Sequence, residues 1–177
     1  MKLRLLPVLV TVCISAVVLF GGYFTYQSLA MENPLNKIIT SAPGVQSAGM
    51  TLTSSEADID LKLNSDANLR EIVHKITTDG ASILGKKELS VKVTNDSVPA
   101  LDQWWSSVLF DVAQAMETKH YSDIPATLQD KAKQVNGLQT DTQMDDKNVY
   151  IRITDGTQSK FVILPRTPAK IGVWPNE

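Results

Sequence analysis

Between Arg4 and Glu32 the chain carries no charged residue, and Leu5 to Phe24 is almost continuously apolar. A helix over about twenty such positions, at 1.5 Å each, is roughly 30 Å long, the thickness of a bilayer's hydrocarbon core. Lys2 and Arg4 on the short N-terminal side favour a cytoplasmic N-terminus and leave everything after the helix on the far side. Tyr23, Phe24 and Tyr26 suit the outer interface. The expected organisation is a cytoplasmic stub and transmembrane signal anchor over residues 1–30, followed by an extracytoplasmic α+β domain over 33–166 with possible halves 33–95 and 98–166. Residues 167–177, with Pro168, Gly172 and Pro175, are expected to form an irregular tail.

A competing expectation is a cleaved leader, since Ser28-Leu29-Ala30 offers the small residues that cleavage after Ala30 requires. Against it, a secretory apolar region usually runs about 7 to 15 residues, and this one is longer and ends in aromatic residues. A lipoprotein is disfavoured because Val10-Thr11-Val12 places no small residue just before Cys13. Either way the domain is exported.

A hydrophobic fraction of 43% against a charged fraction of 20% allows the remainder to bury a core. The formal net charge of -2 becomes more negative once Lys2 and Arg4 are set aside, which argues against nucleic acid, a partner that rewards clustered basic residues. Lys86-Lys87 is the only dense basic pair and reads as a solvated turn. Cys13, the only cysteine, lies in the apolar run, so the domain has no internal disulfide and no thiolate metal site.

The pattern along the soluble part alternates helix and strand. Leu35, Ile38, Ile39 and Ala42 recur at helical spacing and stop at Pro43-Gly44. Ala48, Met50 and Leu52, then Ala57, Ile59, Leu61 and Leu63, alternate with polar residues on either side of Ser54-Ser55-Glu56, as in a hairpin with one wet face. Asn64-Ser65-Asp66 offers N-caps to a helix carrying Leu69, Ile72, Val73 and Ile76, with Gly80 at its end. Leu89, Val91 and Val93 complete an αββαβ unit. This order, with the Pro43-Gly44-Val45 turn, resembles small modules of bacterial envelope proteins over residues 35–95: the BON domain and the ring-building motif of secretion and sporulation complexes. No diagnostic motif accompanies the likeness.

A second set of elements follows the loop at residues 95–99. Pro99 opens a helix whose apolar stripe is read as Leu101, Trp104, Trp105, Val108, Leu109, Val112 and Met116. A further helix opens at Ser122-Asp123, buries Leu128, Ala132 and Val135, and ends at Asn136-Gly137. Two to three antiparallel strands are expected after it: a weak one over 138–144, a clear one with Val149, Ile151 and Ile153, and a return strand over 160–164 beyond an Asp155-Gly156 turn.

Chemistry is sparse. His74 and His120 have no histidine or cysteine at ligand spacing; the first reads as a solvent-facing helix residue and the second as a cation that helps to end the long helix. Asp141, Asp145 and Asp146 cluster, but Asp145-Asp146-Lys147-Asn148 reads more simply as a turn. Asp58 and Asp60 alternate on the outer face of a strand. No catalytic residue, cofactor or metal is expected, and no glycine-rich phosphate loop or nucleophile elbow is present. Trp104 and Trp105 point about 100° apart on a helix, so both rings can hardly sink equally deep, and one is a possible contact for a partner or ligand. The expectation is a non-catalytic assembly or protein-interaction module of the bacterial cell envelope, with the membrane and a membrane-proximal protein as partners. The alternative is a binding domain for a cell-wall sugar or peptide.

Overall fold

The apolar run is helical throughout. In the computed structural model, which describes residues 5–167, α1 (Leu5–Gln27) passes through a π-helical turn, Ser28–Glu32, and continues as α2 (Asn33–Thr40). Lys2, Arg4 and the tail from Pro168 onward lie outside the described residues. Pro7–Thr40 is thus one helical rod of 34 residues, apolar and long enough to cross a membrane, a property that a signal sequence shares. Val8, Leu9, Val12, Val17, Val18, Leu19 and Phe20 are exposed around its whole girth. The two threonine hydroxyls of α1 bond back within the helix: Thr11 donates to the Pro7 carbonyl at 2.8 Å and Thr25 to that of Gly21 at 2.7 Å.

The character of the rod changes at its upper end. Leu35 and Ile39 of α2 are completely buried, and Met31 packs against the same cluster. Gln27 Nε2 donates to the Leu52 carbonyl and to Glu32 Oε1, both at 3.1 Å, tying the top of α1 to the domain.

Gly44, with φ 88°, turns the chain into β1 (Val45–Leu52), which pairs antiparallel with β2 (Glu56–Leu63) as the alternation predicts. Ala57, Ile59, Leu61 and Leu63 are buried on one face of β2. The helix α3 (Leu69–Asp79) is capped one turn later than expected, by Asn68, whose side-chain oxygen accepts from the Glu71 N–H at 3.3 Å. Asn64 is already committed to the preceding turn: its N–H donates to the Gly44 carbonyl, and its carbonyl accepts from Ala67. A single turn, α4 (Ala81–Leu84), leads to β3 (Glu88–Val93), which runs parallel to β2 and gives a mixed sheet ordered β1-β2-β3.

The second half contains α5 (Pro99–Glu117), α6 (Asp123–Ala132) and an antiparallel meander of β4 (Leu138–Met144), β5 (Asn148–Asp155) and β6 (Gln158–Pro165). The seam of α5 is narrower than predicted: Leu101, Val108, Val112 and Ala115 are buried, whereas Leu109 is 40% and Phe110 83% exposed. Phe110 follows Val108 by two residues, about 200° round the helix, and so faces away from the core. α6 buries Ile124, Leu128 and Ala132 and ends before Val135, which is exposed, and Ser122 makes no side-chain cap. His120 does not close α5 either. The N–H groups of Thr118 and Lys119 take the carbonyls of Gln114 and Met116, and Lys119, at φ 59°, turns the chain.

Two apolar clusters result. The first lies under the mixed sheet, and Tyr150 and Phe161 of the meander enter it. The second joins α5, α6 and the meander. Polar contacts also link the halves. Arg152 Nη1 donates to the carbonyls of Asp66 (2.7 Å) and Ala67 (3.3 Å), and Ser159 Oγ to that of Ser65 (2.9 Å). Asn95, in the connecting loop, extends the mixed sheet with its side chain, which exchanges two 2.8 Å hydrogen bonds with the Leu63 backbone.

Candidate functional site

A groove of about 730 Å³ runs where the two halves meet. Its floor is apolar, with Val73 of α3, Leu89 and Val91 of β3, and Ile163 of β6. Its rim is the turn before β5, Asp145 to Asn148, opposite Lys87 and Glu88, with His74 and Tyr150 on the walls. Among the described residues β3 has no strand partner on this side, since its ladder runs only to β2. An edge of this kind offers unpaired backbone donors and acceptors to an added polypeptide.

The rim is held by a dense set of bonds around one carboxylate. Asp145 Oδ1 accepts from the N–H groups of Lys147 and Asn148, each at 2.7 Å, in the local turn that the sequence predicts. Its other oxygen accepts from the Tyr150 hydroxyl at 2.7 Å. Burial by itself would raise the Asp145 pKa, but the bonds from Tyr150 and the two backbone N–H groups outweigh it and hold the carboxyl below its ordinary value. For Tyr150, burial and then the bond to Asp145 act together, and its hydroxyl is pushed well above the ordinary tyrosine range. Arg166 closes the arrangement from behind: its N–H donates to the Lys147 carbonyl, Nη1 donates to the Asp145 carbonyl at 2.9 Å, and its guanidinium lies 4.7 Å over the Tyr121 ring.

The residues singled out from the sequence fall in separate places. His74 and Asp145-Asp146 line the same groove. Asp141 does not: it lies 3.7 Å from Arg152 on the meander and accepts from Gln143, so the three carboxylates form no common site. Among the described residues no group of three or more His, Cys, Asp or Glu is disposed to hold a metal ion. His120 is exposed on the connection between α5 and α6, and Asp58 and Asp60 lie on the polar face of β2. Trp104 and Trp105 are both half-buried, packed against the second cluster, and neither lines the groove. Lys87 donates to the carbonyls of Thr53 and Ser54 at the β1–β2 turn.

Two features escaped the sequence reading. Tyr150 looks like an outward residue of an alternating strand, yet it is 3% exposed because β5 is covered on both faces near its start. Phe110 sits beside Leu109 within an apolar stretch that permits more than one rotation of the helix, and no residue pattern chooses between them.

No protein-family model matches the chain, and no curated protein does. Among solved structures the chain is similar to one described as "MamM CTD - Copper form", at 17% identity and a TM-score of 0.27, covering 41% of this chain and 89% of that one. A likeness of that size carries no argument about fold or function.

Proposed function

We propose that the chain is a membrane-anchored, extracytoplasmic, non-catalytic assembly or protein-interaction module of the bacterial cell envelope. The observation that carries this reading is the single helical rod, apolar on every side below Gln27 and built into the first core above it. Lipid satisfies such a surface where water does not, and a continuous helix leaves no slack between bilayer and domain. The partner is therefore a membrane-proximal protein. The free edge of β3 above an apolar groove and the exposed Phe110 ring supply surface of the kind that protein partners use.

The non-catalytic part of the proposal rests on chemistry. The Asp145–Tyr150 carboxylate–phenol pair is locked in structural hydrogen bonds, and a phenol with a raised pKa is a poor base at neutral pH. Protease added to intact spheroplasts is expected to digest the part of the chain after residue 32; survival of that part until the membrane is opened would refute the assigned compartment. The half-exposed Trp104 and Trp105 favour a second reading, a binding domain for a cell-wall sugar or peptide. Quenching of tryptophan fluorescence by wall fragments, lost on Trp104→Ala, would replace the first reading with it.

A further inference from the structure

The path of the chain from α1 to β3 places one end of the domain at a definite height. From Gln27 to Thr40 the helix rises about 20 Å away from the apolar segment. β1 then runs back beside it for about 23 Å. The two meet where the Leu52 carbonyl accepts from Gln27 Nε2 at 3.1 Å. The β1–β2 turn therefore extends past Gln27, down to the level of Tyr23, Phe24 and Tyr26, which are exposed at the end of the apolar run. β3 starts at the same end, because it is parallel to β2 and the Glu88 N–H donates to the Ser55 carbonyl at 2.8 Å. Immediately before it stand Lys86 and Lys87. The Lys87 ammonium caps the Thr53 and Ser54 carbonyls of the turn, and Lys86 is exposed.

We propose that the β1–β2 turn, with Lys86 and Lys87, is a docking surface for the phosphate headgroups of the bilayer that α1 enters. This rests on the spanning reading given above. Neither lysine has a carboxylate partner among the described residues. Glu32 is engaged by Gln27, and Glu56 and Glu88 face each other in register across β2 and β3 on the polar side of the sheet. The tip thus presents both signs, the exposed Glu56 and Glu88 carboxylates beside the two ammonium groups. The pairing with lipid phosphate rests on Lys86, which is exposed and engaged by no side chain or backbone group of the turn, since lysines at headgroup depth are attracted to anionic lipid. A pair that reads from the sequence as a solvated turn becomes, at this height, the foot on which the domain stands.

The test uses the full chain with Cys13→Ser and one reporter cysteine, either Ser55→Cys at the tip or Gln46→Cys at the opposite end of the hairpin. Each protein is labelled with a fluorophore and reconstituted into vesicles whose headgroups carry a nitroxide quencher. The Ser55 label is expected to be quenched several-fold more than the Gln46 label. Phosphatidylglycerol in place of phosphatidylcholine should deepen that quenching, and Lys86→Glu should reverse the gain, with on the order of a fivefold change in the docked-to-undocked ratio. Equal quenching at the two positions, or a gain that Lys86→Glu leaves intact, overturns the proposal. An alkaline carbonate wash separates the two readings. Protein that stays in the vesicles while its tip is unquenched preserves the spanning helix and refutes the foot; protein that washes out refutes both.

Discussion

Tyr150 is the residue through which the meander and the first core are joined, since its ring lies in that core and its hydroxyl holds Asp145 at the groove's rim. Tyr150→Phe keeps the ring and removes one buried donor to a carboxylate, so it is expected to cost about 1 to 2 kcal/mol at neutral pH. The sign of the pH dependence follows from the two shifts. Asp145 is lowered from 3.8, so its contribution is present above that value and is lost as pH falls through the folded-state pKa. Tyr150 is raised from 10.0, so its contribution is full below that value and is lost as pH rises through its folded-state pKa. Urea midpoints of the native protein and the variant should differ most between about pH 5 and 9 and converge toward either extreme. A gap that stays constant from pH 3 to 8 would show that the bond does not depend on the ionised carboxylate. Arg152, whose guanidinium donates to two carbonyls across the halves, is the other such joint. Arg152→Ala is expected to lose about 1 to 3 kcal/mol, read from the same titrations.

The elements differ in how openly the sequence announces them. β1 and β2 are legible because one face is wet, so Ala57, Ile59, Leu61 and Leu63 stand out at period two. The turn ahead of them is legible for a harder reason. Gly44 has φ 88°, and a Cβ there would lie 2.6 Å from the Ala67 Cβ and 2.9 Å from its Cα. Left-handed strain and overpacking against backbone act together, so Gly44→Ala is expected to destabilise by about 3 kcal/mol, seen as a lower Tm at unchanged far-UV signal. Asn68→Ala, which removes only the cap of α3, should cost about 1 kcal/mol. What could not be read were choices made between elements. The rotation of α5 is set by the facing α6 and meander, and Leu109 and Phe110 are as apolar as the residues that won burial. The groove joins α3, β3 and β6, elements far apart in the chain, and local pattern says nothing of pairings that distant. The Asp145 turn was readable, but its bond to Tyr150 was not, because alternation predicts the wrong environment for that ring.

At the scale of the molecule, the rod is two things in one helix, and the division falls near residue 30. Below it, the side chains of α1 from Pro7 to Tyr26 touch little of the domain; above it, Leu35 and Ile39 are core residues at 0% exposure, with Ala42 at 4%. The apolar segment should therefore be dispensable for folding and α2 should not. A chain starting at Met31, the product that cleavage after Ala30 would leave, keeps Met31, Leu35, Ile39 and Ala42 and loses the Gln27 side-chain bonds to Leu52 and Glu32. It is expected to unfold cooperatively, within about 1 kcal/mol of the full chain in detergent, the worth of one part-buried side-chain amide's hydrogen bonding. A chain starting at Pro43 strips two large side chains from beneath the mixed sheet, each worth about 2 to 5 kcal/mol when truncated, and that sum rivals the whole stability of an ordinary domain. Loss of a cooperative transition in the second chain but not the first is the expected calorimetric outcome. If the chain from Pro43 melts as sharply as the chain from Met31, α2 is an appendage, and the rigid link between the apolar segment and the domain goes with it.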